Sequence, residues 1–360
     1  MNKKRILIIN PFGIGDVVFS TPLIEILKRR FPDSFIGYVC NRRVSELIST
    51  NPKLDRIFVY EKDEYRDVWQ RSKVECFKKI WAFLMTIKKE RFDISIDLSL
   101  GYQNSMFLKL IGIRRRFGFN YRDRGAFLTD KITIKGFEGK HVIDYYLDVL
   151  ALLIPDIKQD EAEPKLYASP AKIEYADKFF SSVGISDRDL IIGMIPGCGA
   201  SWGLDANQRR WDKANFAILA DKLIEKYGAK IILLGSPKET VICDAVQKST
   251  TKNVINHCGK TSMTELAGIL AKCKAVVTND GGPLHMAVGL GVKTVSIFGP
   301  VDEAVYGPRP AADHVVVSKK GLVCRPCYKN FKYKKCDNRL CLSEITVKEV
   351  LNACEKVLEK

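Results

Sequence analysis

Within seven positions, Asn279-Asp280-Gly281-Gly282-Pro283-Leu284-His285 combines a carboxylate, two adjacent glycines and an imidazole. If the glycines open a helix, their amides lack intrahelical partners and the helix presents its positive end, an arrangement that holds a diphosphate without metal. His285, one short step into that helix, reads either as a packed core residue or as a ligand beside the anion. A second segment, Ile195-Pro196-Gly197-Cys198-Gly199-Ala200-Ser201-Trp202, is followed by Arg209-Arg210-Trp211. Guanidinium groups stay charged and form paired hydrogen bonds to phosphate, so Arg209 and Arg210 suit charge neutralisation there. Alone, they would read as solvated; their place in a loop of the same half as the glycine pair favours binding. A third segment, Ile9-Asn10-Pro11-Phe12-Gly13-Ile14-Gly15-Asp16, sets Gly13 and Gly15 at another strand-to-helix junction, where amides can approach an anion. Asp16 is placed either to cap the first helical turn or to serve as a general base. The third glycine of a dinucleotide fingerprint is missing, and the second strand runs into Cys40-Asn41-Arg42-Arg43 instead of a ribose-binding acid. That argues against a nicotinamide dehydrogenase.

Cys324-Arg325-Pro326-Cys327, eight intervening residues, Cys336, four more and Cys341 form the most specific spacing outside these loops. Four thiolates with a CxxC pair can hold structural zinc and staple a basic loop; reduced structural thiols or a disulfide are the alternatives. The scattered cysteines, such as Cys40, Cys243 and Cys273, sit in apolar runs and read as small hydrophobes in a reducing compartment.

Strands alternating with helices must position these residues. Arg5–Asn10, Ser34–Cys40, Arg56–Tyr60 and Asp93–Leu98 read as strands, and Asp16–Phe31, Val74–Lys89 and Ser105–Ile111 as helices. Pro22 is expected to kink or restart the first helix. Phe77, Ile80, Trp81, Leu84 and Ile87 are expected to share one stripe of the second. Acidic, proline-containing sequence near Pro155–Pro170 reads as a linker, after which strands Leu190–Ile195, Lys230–Leu234, Ala275–Thr278 and Thr294–Phe298 alternate with further helices. Ser262 with Glu265 and Thr346 with Glu349 read as capping boxes, and Gly228 as the end of helix Lys213–Tyr227. The fold class is therefore α/β: two Rossmann-like doubly wound domains, 1–166 and 171–360, facing a cleft at the carboxyl ends of their strands.

With 58 Lys+Arg against 42 Asp+Glu over 360 residues, the formal charge of +16 attracts polyanions, and 46% apolar content excludes disordered and collagen-like classes. Short basic groups such as Arg114-Arg115-Arg116, Arg122 and Arg124 could be merely solubilising or could meet anionic lipid. No apolar run approaches the roughly 20 residues that span a bilayer, and the basic start has too short an apolar run for a signal peptide, so a cytoplasmic location is expected.

Together, Arg5-Ile6-Leu7-Ile8, Gly13-Ile14-Gly15-Asp16-Val17-Val18 with Pro22, Arg116-Phe117-Gly118-Phe119, His141, Arg209-Arg210-Trp211, Asn279 to Ala287 and Phe298-Gly299-Pro300 occur in an order and spacing that resemble glycosyltransferase family 9. That is the ADP-heptose:lipopolysaccharide heptosyltransferase family, of GT-B architecture. The resemblance implies inverting transfer of heptose from ADP-heptose to a sugar hydroxyl of the lipopolysaccharide inner core. It implies no required cofactor, no nucleic-acid partner, a lipid-linked anionic saccharide acceptor, and peripheral contact with the cytoplasmic face of the inner membrane. It casts Asp16 as general base. Arg209, where the family commonly has lysine, would stabilise the leaving diphosphate together with Arg210. The donor would also be contacted by Asp280, the amides of Gly281 and Gly282, His285, and Glu239 at the ribose. Gly281 and Val301-Asp302-Glu303 depart from the family pattern and leave another nucleotide sugar open as donor. A basic nucleic-acid-binding protein with a zinc-ribbon-like Cys324–Cys341 is the remote alternative.

Overall fold

The structure, a computed structural model, describes residues 3–157, 162–199 and 203–359. The chain divides into two units, Met1–Glu163 and Pro164–Lys360.

The first unit runs β1 (Arg5–Ile9), α1 (Ile14–Arg30), β2 (Phe35–Cys40), α2 (Arg42–Ile48), β3 (Arg56–Val59), α3 (Lys62–Arg71), α4 (Lys73–Lys89), β4 (Ile94–Asp97), α5 (Tyr102–Leu110), β5 (Arg115–Tyr121), β6 (Asp130–Ile134) and α6 (Val142–Ala151). Its six strands pair in the order β3-β2-β1-β4-β5-β6, all parallel. Ile6, Leu7 and Ile8 of β1 are fully buried, as a continuous apolar strand covered on both faces must be.

Helix α1 passes through Pro22 without a break. Pro22 cannot donate to the carbonyl of Val18, but the Thr21 hydroxyl donates to that oxygen at 2.7 Å, so the acceptor that proline orphans is satisfied one residue earlier. Helix α4 also departs from expectation. Its inward face is Ile80, Phe83, Leu84 and Ile87, whereas Phe77 and Trp81 are exposed.

The second unit runs α7 (Pro170–Ser182), β7 (Ile191–Ile195), α8 (Lys213–Tyr227), β8 (Lys230–Leu233), α9 (Thr240–Ser249), β9 (Ile255–Asn256), α10 (Met263–Ala271), β10 (Ala275–Asn279), α11 (Gly282–Gly289), β11 (Lys293–Phe298), α12 (Glu303–Tyr306), β12 (His314–Ser318), α13 (Leu340–Ser343) and α14 (Val347–Leu358). Read from the opposite edge, its order β12-β11-β10-β7-β8-β9 repeats the topology of the first sheet, again with every pair parallel. Both sheets are therefore doubly wound α/β sheets. Capping boxes start α10 at Ser262 and α14 at Thr346, and Gly228 ends α8 at φ 63°, a left-handed position that glycine occupies without strain. In each sheet, the central strands end at the loops that carry the chemistry-bearing residues. Among the described residues, no helix is long and apolar enough to cross a membrane.

Candidate functional site

In the second unit, loops at the carboxyl ends of β7, β8, β10 and β11 meet. Gly281 holds the N-cap position of α11, with Gly282 and Pro283 in its first turn, so this helix opens with amides that have no intrahelical acceptor. Proline suits that turn because it has no N–H to leave orphaned. Gly281 is extended, and its constraint is space: a Cβ built there would sit 2.2 Å from the Cys198 carbonyl oxygen. No other residue fits without moving the β7 loop. His285, on the same helix, is buried.

Arg209 closes a 3-10 segment, Gly203–Arg209, that leads toward α8. Its guanidinium lies 2.5 Å from the Asp280 carboxylate, and both side chains are almost wholly buried. Burial pushes the Asp280 carboxyl above its ordinary range, against the pull of Arg209 and of Arg325 nearby. The pair is thus a strong electrostatic element set beside the amide turn. Arg210 reaches toward Glu239, 3.7 Å from Oε1, and among the described residues its Nε is a buried donor without a hydrogen-bond partner. Ala200, Ser201 and Trp202, the remainder of the expected glycine-rich loop, lie outside the described residues.

Glu239 behaves as a staple. Its Oε1 accepts from the amides of Cys198 and Gly199, both at 2.9 Å, and its Oε2 accepts from the Ser236 amide and hydroxyl at 2.9 and 2.8 Å. Burial opposes ionisation, but these four donors prevail and hold the carboxyl below its ordinary range. A carboxylate so occupied fixes the β7 and β8 loops to each other, a role that the ribose-holding expectation for Glu239 did not include. Gly197 follows from the same geometry, since a Cβ there would collide with Glu239.

Three further positioning residues escape sequence reasoning because their partners are remote in the chain. Asn279 donates to the carbonyls of Pro196 and Gly197, at 2.8 and 3.0 Å, and accepts from the Trp211 amide at 2.9 Å. One side chain thereby ties β10 to both ends of the β7–α8 connection. Arg325, nearly buried, donates to the Gly299 carbonyl at 2.7 Å and the Val301 carbonyl at 3.1 Å, and pairs with Glu303. Arg339 donates to the Asn207 carbonyl at 2.7 Å, bracing the segment that delivers Arg209 and Arg210.

The zinc expectation at Cys324, Cys327, Cys336 and Cys341 finds no support. Among the described residues, no group of three or more His, Cys, Asp or Glu side chains is disposed to hold a metal ion. All four cysteines are free; Cys324 and Cys336 are exposed, whereas Cys341 packs into the core of the second unit. Burial pushes the Cys341 thiol up to about 11, as for a small side chain packed in the core. Guanidinium–carbonyl hydrogen bonds from Arg325 and Arg339 fasten the cysteine-rich loop.

In the first unit, Gly13 is the N-cap of α1, Gly15 lies in its first turn and Asp16 is the third helical residue, within the first turn where a carboxylate complements the helix dipole. The Asp16 carboxylate points back over Gly13, where a Cβ would lie 3.8 Å from Oδ2, and Asn10 donates to the Asp16 carbonyl at 3.0 Å. Ile9 of β1 pairs with Asp97 of β4, which sequence reasoning passed over. Asp97 is buried, accepts from the Ser99 amide at 3.0 Å, and is pushed up by burial to about 6. Its only sequence signal is an acidic residue ending an apolar strand. His141 caps α6, its Nδ1 accepting from the Ile143 amide at 3.1 Å. Arg116 is buried and donates to the carbonyls of Phe127, Ile113 and Arg114, so it is a strut and not a surface charge. A cavity beside β1, lined by Ile9, Pro11, Val39, Tyr60, Phe83 and Phe107, is apolar and offers no cation to a phosphate.

The family model described as Glycosyltransferase family 9 (heptosyltransferase) matches residues 80–337. Lipopolysaccharide heptosyltransferase 2 of Escherichia coli K12 is 24% identical over 306 residues, covering 82% of this chain and 83% of its own. The crystal structure of a family 9 glycosyl transferase from Veillonella parvula superposes with a TM-score of 0.80 at 25% identity, covering 99% of this chain and 97% of that one. An E. coli heptosyltransferase solved with ADP shares the fold at a TM-score of 0.72 and 18% identity, covering 98% of this chain and 99% of its own. With more than half of the sequence matched by one family model, and with a doubly wound sheet in each unit, the chain belongs to glycosyltransferase family 9, the heptosyltransferases.

Proposed function

We propose that the protein transfers heptose from ADP-heptose, with inversion, to a sugar hydroxyl of a lipid-linked lipopolysaccharide inner-core acceptor. The observation that carries this reading is the α11 amide turn set beside the buried Arg209–Asp280 pair and the Arg210 guanidinium, whose Nε has no hydrogen-bond partner among the described residues. Those groups stabilise negative charge that grows on a departing diphosphate, and they are already in place before the reaction begins. The E. coli heptosyltransferase solved with ADP and the similarity to lipopolysaccharide heptosyltransferase 2 support adenosine diphosphate as that leaving group and heptose as the sugar.

In this mechanism, the acceptor oxygen attacks the anomeric carbon as the bond to the β-phosphate oxygen breaks. Asp16 takes the hydroxyl proton, and ADP leaves with the electron pair. Arg209 and Arg210 meet the diphosphate, with Asp280 orienting Arg209 and reserved for the donor sugar. Gly281 and Gly282 give amides, and His285 completes the donor side. The first unit serves the acceptor through the Gly13–Asp16 turn, and the second serves the donor. We place the enzyme at the cytoplasmic face of the inner membrane, in peripheral contact, because its acceptor is lipid-linked.

Thermal stability measured against ADP, ADP-heptose, UDP, GDP, CMP and NAD tests the donor site. Selective stabilisation by ADP and ADP-heptose is expected, and it should be lost in Arg209→Ala. A response confined to UDP or GDP would keep the transferase and replace heptose, which is the second reading that Gly281 and Val301-Asp302-Glu303 leave open.

A further inference from the structure

Helix α4 carries more apolar surface than its own unit uses. Ile80, Phe83, Leu84 and Ile87 pack inward, but a second stripe of Val74, Phe77 and Trp81, at steps of three and four residues, faces solvent with relative exposures of 65%, 59% and 57%. At about 100° per residue the two stripes occupy adjoining arcs of the helix. From α3, Trp69 joins the outer stripe at 44% exposure, its ring edge-on to Phe77 with centroids 5.7 Å apart. Two helices thus pool three aromatic rings in one uncovered patch, and contiguous apolar patches rimmed by polar residues mark interaction surfaces.

The rim points to the partner. Residues 62–89 hold eight Lys or Arg against four Asp or Glu. Two of those four carboxylates are already engaged, Asp63 with Arg66 and Glu64 with both Arg42 and Lys79. Lys73, Lys78 and Lys88 are exposed at positions four before Phe77, four after Val74 and seven after Trp81, so they border the same stripe. The Lys73 ammonium stands 5.7 Å from the centre of the Trp69 ring. Indole rings flanked by lysines match a membrane interface, where the ring lies at headgroup depth and the ammonium reaches lipid phosphate.

We propose that the outer face of α3–α4 docks the protein on an anionic lipid bilayer, with Trp69, Phe77 and Trp81 entering the headgroup region and Lys73, Lys78 and Lys88 meeting phosphates. The inference rests on the proposed lipid-linked acceptor for its purpose, though its geometry belongs to α3–α4 alone. It moves the membrane contact from the Arg114–Arg116 group, in which Arg116 is buried, to this hairpin.

The test is co-sedimentation of the full chain with vesicles of phosphatidylethanolamine and phosphatidylglycerol, and with phosphatidylcholine alone, at low and high salt. Wild type is compared with Trp69→Ser/Phe77→Ser/Trp81→Ser and with Lys73→Glu/Lys78→Glu/Lys88→Glu, with circular dichroism reporting folding. We expect binding to anionic vesicles that weakens at high salt, and a drop of about tenfold or more in either folded variant. In a Trp202→Phe background, Trp69→Phe/Trp81→Phe provides a second readout, abolishing a vesicle-induced blue shift of indole fluorescence that buried Trp211 cannot supply. Wild-type-like vesicle binding by the folded variants would overturn the proposal. So would loss of a dimer on light scattering without loss of vesicle binding, which would assign the patch to a second copy. Transfer to a soluble, acyl-free acceptor should be unchanged in these variants. Absence of that transfer in wild type, with vesicle binding intact, would count against the heptosyltransferase reading and leave the docking surface standing.

Discussion

Arg209 and Asp280 stabilise each other at 2.5 Å in a buried setting, so removing either leaves the other charge uncompensated. Arg209→Ala is expected to lower kcat by about 100- to 1000-fold, the scale for losing one preorganised donor to a developing anion. It should also lower stability by roughly 3–5 kcal/mol. Arg209→Lys, which keeps charge but not the forked geometry, should fall between the two in kcat. Steady-state kinetics with ADP-heptose check the ranking, and an alanine variant of undiminished kcat would remove Arg209 from the chemistry. Gly281→Ala tests space instead of charge. Its Cβ would meet the Cys198 carbonyl at 2.2 Å, so a stability loss of about 1–3 kcal/mol and weakened ADP binding by calorimetry are expected. Asp97 carries a pH signature. Burial raises it to about 6 from 3.8, so the folded chain holds a proton that the unfolded chain releases between those values. The cost of burying its charge is therefore present above about pH 6 and relieved as pH falls toward 4. Asp97→Asn should stabilise the protein at pH 8, by roughly 3 kcal/mol, and leave the melting temperature unchanged near pH 4. An equal effect at both values would contradict the buried-charge account.

Two helices show the opposite linkage through their capping boxes. Glu265 at the start of α10 is lowered to about 2 by the Ser262 amide and hydroxyl and by Lys172, and Glu349 at the start of α14 is lowered to about 2 by Lys319 and Thr346. Their ordinary value is 4.5, so as pH falls the unfolded chain takes up these protons first. The stability they contribute is intact above about pH 5 and disappears by about pH 2. Glu265→Gln/Glu349→Gln should flatten the fall of melting temperature across that window; an unchanged slope would mean that neither carboxylate acts this way. Such boxes were legible in the sequence because both partners lie within four residues of each other, and so were the Gly228 end of α8 and the glycine turn at α11. Contacts between distant segments were not legible. Nothing local announces that Glu239 will staple the β7 loop, that Asn279 will bind Pro196, Gly197 and Trp211, or that Arg325 and Arg339 will fasten the cysteine-rich loop. Helix α4 misled for a different reason. Periodicity finds apolar arcs but does not say which arc the core covers: Phe77 and Trp81 share the apolar stripe in sequence and face solvent in the fold. In α1, Thr21 supplies a hydrogen bond in place of the one Pro22 cannot make, a compensation that a rule about proline alone overlooks.

At the scale of the whole molecule, one topology occurs twice, and the two copies differ mainly in what their strand-end loops carry. The first sheet ends in the Gly13–Asp16 turn and the buried Asp97, whereas the second ends in an amide turn with arginines and a carboxylate staple. That division matches the proposed labour of proton removal from an acceptor and charge stabilisation on a leaving diphosphate. The formal charge of +16 suits both a diphosphate donor and an anionic lipid acceptor. Heptosyl transfer itself is the most direct test: purified protein is incubated with ADP-heptose and a lipid-linked inner-core acceptor, and product mass and ADP release are followed together. The account predicts one heptose added per ADP released, abolished in Asp16→Asn and reduced at least 100-fold in Arg209→Ala. No mass gain with ADP-heptose, or a gain only with another nucleotide sugar, would contradict it.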